Sequence, residues 1–208
     1  MDAPTHPPAP PTFKPMTLAL AGAGLLLTVS LTLVFAKLLP EYRMWNVSVI
    51  GALALFAAAR LGFWYGVVFT AVAIALKDLC LYLTTPWWEP YPLAWLYFGG
   101  YVLVGWLALR RSASVGRAVG VGFGCGLAFY VVSNFVSWLE MALPYDRSLA
   151  GLLDSYVAAI PFYRGTFVGD TLFSAALFGA HLALSRAYFP AERVGGAAQE
   201  VRPQENNW

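Results

Sequence analysis

From Val47 to Leu76 the chain carries a single charged residue, Arg60. A helix crosses hydrocarbon with about 20 apolar residues, so this block is too long for one crossing and too apolar for a soluble surface. The Arg60-Leu61-Gly62 break divides it into a short helix, 47–59, and a longer one, 63–82. The same rule places further spans at 16–39, ended by Pro40, at 93–109, ended by Arg110-Arg111, at 115–139 and at 167–188. The expectation is an all-α, polytopic membrane protein with six transmembrane helices in one bundle. Merging the second and third helices would leave five spans and put the termini on opposite sides. Composition agrees: 59% of residues are hydrophobic and 12% charged, against about 25% charged in ordinary soluble domains.

Both ends differ in kind. Residues 1–15 are rich in proline and lack helical periodicity, and residues 190–208 turn polar; each is expected to be a disordered tail flanking a transmembrane domain at 16–189. The start lacks the basic residues of a signal peptide. A net charge of +2 with scattered basic residues argues against nucleic acid as a partner. Cys80 and Cys125 lie in apolar sequence without metal spacing, and read as small core residues. No metal site or cofactor is expected.

Arg110, Arg111 and Arg117 make the clearest basic connection, which the positive-inside rule assigns to the cytoplasm. Alternation then brings Lys14, Arg60, Arg186 and Arg193 to the same side, with both termini. Most polar residues within or near apolar sequence fall towards the other side. Charges and amides there are costly unless paired or facing a wet cavity. Asn46, Asp78, Asn134, Asp154, Tyr156, Arg164 and Asp170 are the candidate ligand-binding residues, with Asp78 also able to pair with a neighbouring cation. Arg164 and Asp170 frame the start of the sixth span, where the arginine would pair with the aspartate or hold an anionic ligand group. Ser148 opens a stretch that reads as a short capped helix, ended by Pro161 and lying at the outer interface or over the bundle mouth.

A family resemblance rests on residues in a fixed order. Asn46 precedes the Gly51-Ala52-Leu53-Ala54-Leu55-Phe56 helix; Lys77-Asp78, Asn134-Phe135 and Ser148-Leu149-Ala150-Gly151-Leu152 follow; Tyr156 to Phe162 and Thr166 to Phe178 complete it. Over residues 17–188 the chain resembles an uncharacterised bacterial integral-membrane family, itself similar to the substrate-binding S components of energy-coupling factor (ECF) transporters. That resemblance implies a subunit of the bacterial inner membrane that captures a vitamin or other small solute at the outer face. It would then join a transmembrane coupling subunit and ATPases. In S components an Ala-x-x-x-Ala surface packs on the coupling subunit, which makes Ala19 with Ala23, and Ala54 with Ala58, the candidates for partner-helix packing.

Other classes compete. The chain has no Walker A motif and is not itself an ATPase. His6 lies in the tail and His181 in the other half of the sixth span, and there is no HExxH or GxSxG motif. An enzyme is therefore not expected, although Asp78 and Asp170 could form a dyad if they met. A structural or accessory membrane protein without a transported ligand is the remaining alternative.

Overall fold

The computed structural model describes residues 13–38, 47–140 and 145–195. Six α-helices make up the described chain, and no strand occurs among these residues. They are α1 (Pro15–Leu33), α2 (Ile50–Arg60), α3 (Phe63–Thr84), α4 (Leu93–Val104), α5 (Val115–Leu139) and α6 (Leu149–Ala187). π-helical turns extend α1 over Val34–Leu38 and α4 over Gly105–Leu109.

Helix α2 is the axis of the fold. Every one of its residues is buried, and it touches all five other helices. Its leucines, alanines and Phe56 present apolar surface all round, so it is stable only where every face is covered. Small residues set the spacing. A methyl group on Gly66 of α3 would lie 2.6 Å from the Ala58 side chain, and one on Gly105 2.7 Å from the Leu55 carbonyl. The turn from α2 into α3 passes through Gly62, whose φ of 112° suits a residue without Cβ.

Four helical segments are long and apolar enough to cross a membrane: Pro15–Leu38, Phe63–Thr84, Val115–Leu139 and Leu149–Ala187. The other two expected spans are shorter. Helix α2, at 11 residues, extends about 17 Å, roughly half of a hydrocarbon core of about 30 Å. Large apolar side chains such as Leu26, Trp64, Val68, Leu96, Leu107 and Leu172 face outward.

The short outer helix ending at Pro161 does not exist as a separate element, because α6 runs unbroken for 39 residues with Pro161 inside it. Ser148 does cap it, accepting a hydrogen bond from the Gly151 amide. A proline removes one backbone donor and crowds the preceding turn, but here α6 packs along α5. Tyr130 donates to the Tyr156 carbonyl at 2.5 Å and Tyr156 donates to the Val131 carbonyl at 2.8 Å. Those ties lie on the N-terminal side of the proline and hold that part of the helix in line.

At one end of the bundle the chain is laced by buried polar contacts. Arg60 donates to the carbonyls of Leu109 and Ser112 at 3.0 and 2.8 Å, and its guanidinium lies 4.7 Å from the Phe178 ring centroid. Lys14 donates to the Arg60 carbonyl at 2.8 Å. Residues 190–195, assigned to a tail from sequence, fold back through a 3-10 turn, Pro190–Glu192. Buried Glu192 accepts from the Met16 and Thr17 amides and the Thr17 hydroxyl at 2.6–3.0 Å. It thereby satisfies free donors at the start of α1. The Arg110-Arg111 turn lies at this same end, and the candidate site lies at the other.

Candidate ligand site

At the end away from Arg60, a cavity of about 490 Å³ opens among α1, α2, α3, α4, α5 and α6. That is within the range of small-molecule sites, about 300–1,000 Å³. Phe35, Trp87, Trp88, Tyr91, Phe98, Tyr101 and Phe129 supply aromatic walls. Thr28, Thr32, Ser48, Lys77, Thr85 and Thr166 contribute to the wall, together with Asp170.

Asp170 is 4% exposed, and the fold makes room for it. Its Oδ2 accepts a hydrogen bond from the Tyr101 hydroxyl at 2.7 Å. A Cβ on Gly51 would collide with Oδ1, and one on Gly126 would lie 2.9 Å from Oδ2. A Cβ on Gly122 would lie 2.8 Å from the Asp170 carbonyl oxygen. Glycines of α2 and α5 thus let their backbones close around a carboxylate carried by α6 and fastened to α4. Two polar atoms in residues lining this cavity, Thr85 Oγ1 and Trp88 Nε1, are buried without a hydrogen-bond partner.

Lys77 pairs with Asp78 at 2.8 Å and lies 5.1 Å from the Trp88 ring centroid. This is the one ion pair among the described residues. A second cavity, about 320 Å³, lies between α5 and the first half of α6 and shares Phe129 and Thr166 with the first. Ser133, Asn134, Tyr145, Ser155 and Tyr163 are among its lining residues.

The candidates named from sequence separate accordingly. Asp170 lines the first cavity and Asn134 the second, although the Asn134 amide donates to the Tyr130 carbonyl of its own helix at 2.7 Å. Asp78 sits beside the first cavity through its pair with Lys77. The Tyr156 side chain joins α6 to α5. Asp154 and Arg164 are exposed, and Asn46 lies outside the described residues. Arg164 does not pair with Asp170. Six residues separate them, which on an α-helix is about 240° of rotation, so the arginine faces outward while the aspartate faces the core.

The two alanine pairs also divide. Ala19 and Ala23 are exposed on α1. Ala54 and Ala58 are fully buried and pack within the bundle, so they offer no surface to a partner. Sequence reasoning passed over Tyr101, Phe98, Phe129 and the glycines around Asp170. The four-residue spacing of Gly122 and Gly126 was the available signal for close helix approach.

These features define a helical protein with four segments long and apolar enough to cross a membrane and a cavity with aromatic walls beside a buried aspartate. The chain belongs to DUF6580, a family of unknown function whose model matches residues 15–194. No curated protein and no solved structure matches it.

Proposed function

We propose that the chain is a membrane-embedded, substrate-binding subunit of a small-solute uptake system, similar in role to the S components of ECF transporters. The cavity carries this reading: it has ligand size, aromatic walls and a buried carboxylate, and a purely structural bundle has no need of such a space. The apolar outward faces suit lipid. Alternating helices bring the basic residues Lys14, Arg60, Arg110, Arg111, Arg186 and Arg193 to one end, which by the positive-inside rule faces the cytoplasm. On this reading all six helices belong to the membrane domain, α2 lies within it as a short central helix, both termini are cytoplasmic, and the cavity opens outward.

The exposed Ala19 and Ala23 of α1 leave a shallow surface on which a partner helix can approach closely. A coupling subunit with its ATPases is the partner this role requires. The test is affinity purification of the tagged protein from its native membranes in mild detergent. A second polytopic protein and nucleotide-binding subunits should co-purify, and Ala23→Leu should release them while the isolated protein melts unchanged. Recovery of the chain alone, from wild type and variant alike, would instead favour the structural or accessory reading.

A further inference from the structure

We propose that the large cavity takes a small organic cation, a protonated amine or quaternary nitrogen on a flat apolar body, with the positive centre held against Asp170. This rests on the reading of the chain as a ligand-capturing protein and names the chemical class of what it captures.

The charge balance of the site comes first. Lys77 and Asp78 offset each other at 2.8 Å. No cation pairs with Asp170 among the described residues, and the donor that holds its Oδ2 is a neutral phenol, the Tyr101 hydroxyl. Among the described residues that line the cavity, the side chain able to carry a charge without a counter-charge is therefore an acid. A buried carboxylate without a counter-charge is expensive, and a ligand that brings a positive centre relieves that cost.

The walls make the same selection. Trp87, Trp88, Tyr91, Phe98, Tyr101 and Phe129 surround the space, and aromatic faces attract cations through their quadrupole. Lys77 already lies over the Trp88 ring at 5.1 Å, which shows a positive centre resting on one of these walls. The glycine cradle completes the case. Gly51 lets Oδ1 pack against the α2 backbone, which seats the carboxylate at the cavity wall while Tyr101 holds Oδ2.

A matched series of probes with one ring decides the question: phenethylammonium, 2-phenylethanol and 3-phenylpropionate, each titrated against the purified full-length protein by calorimetry. Phenethylammonium should bind about tenfold more tightly than the neutral alcohol, and the anion should bind least. Asp170→Asn should bring the cation down to the level of the alcohol. Lys77→Gln, which leaves Asp78 uncompensated and does not touch the core, should tighten the cation about three- to fivefold and weaken the anion.

Equal or tighter binding of 3-phenylpropionate, an unchanged order in Asp170→Asn, or no binding of any of the three would overturn the proposal. If Asp170→Asn does not fold, Lys77→Gln decides alone, and an unchanged affinity for phenethylammonium refutes it. Co-purification of a coupling subunit is independent of these titrations, so the uptake reading can stand when the cation assignment falls.

Discussion

Tyr101 of α4 and Asp170 of α6 are joined by a 2.7 Å hydrogen bond at the wall of the large cavity. The bond ties together two helices that flank α2. Tyr101→Phe keeps the ring and removes the donor, which leaves Oδ2 of Asp170 without its partner. Loss of a hydrogen bond to a buried polar group costs about 1–3 kcal/mol. Melting in detergent should fall accordingly, and an unchanged melting temperature would show that the bond adds nothing to the fold.

The glycine cradle predicts a contrast between two chemically identical substitutions. Gly51→Ala places a methyl group against the Asp170 carboxylate and 2.6 Å from the Tyr101 ring, so it should destabilise by about 1–3 kcal/mol through overpacking. Gly120→Ala, in α5, meets nothing within 4 Å and should be neutral or stabilise by up to about 1 kcal/mol. Thermal melts of the two variants check this directly. Similar melting of both would refute the cradle.

Glu192 predicts a dependence on pH. Burial alone would raise its carboxyl, but the Thr17 hydroxyl and the Thr17 and Met16 amides outweigh burial and hold it below its ordinary range. A carboxylate depressed by folding stabilises fully above its unfolded value, about 4.3, and loses that contribution as pH falls through the lower folded value. Glu192→Gln should therefore melt below wild type at neutral pH, by about 0.5–2 kcal/mol. The difference should close in acid. A gap that stays constant from neutral to acid pH would place the effect elsewhere.

The proposed topology is open to cysteine labelling. In a Cys80→Ala, Cys125→Ala background, single cysteines at the exposed positions Ala113 and Leu149 lie at opposite ends of the bundle. An impermeant maleimide added to intact cells should label Leu149→Cys and spare Ala113→Cys. The reverse pattern would put the cavity on the cytoplasmic side.

Some of this architecture was legible in the sequence because it follows from local chemistry. Gly62 breaks an apolar block too long for one crossing, Ser148 caps a helix, and a carboxylate inside the apolar α6 marks a candidate site whatever surrounds it. What was not legible depends on which faces meet. Tyr101 in an apolar helix looks like any aromatic until α6 is packed beside it. Arg164 and Asp170 are close in sequence but about 240° apart on the helix. Pro161 carries a strong local signal for a helix end, and packing along α5 overrides it. The alanines of α2 look like a surface motif, yet α2 is enclosed on every side.

The central claim is that the cavity around Asp170 holds a small molecule, and native mass spectrometry tests it most directly. The protein is purified from cells grown on rich medium, then released from its micelle as wild type and as Ala94→Trp. Ala94 lines the cavity on α4 and stands apart from the Tyr101–Asp170 bond, so tryptophan there fills the space and leaves its floor intact. Wild type should carry a reproducible small-molecule adduct that is lost on unfolding, and Ala94→Trp should fly without it. An adduct present equally in both, or absent from wild type, would contradict the account.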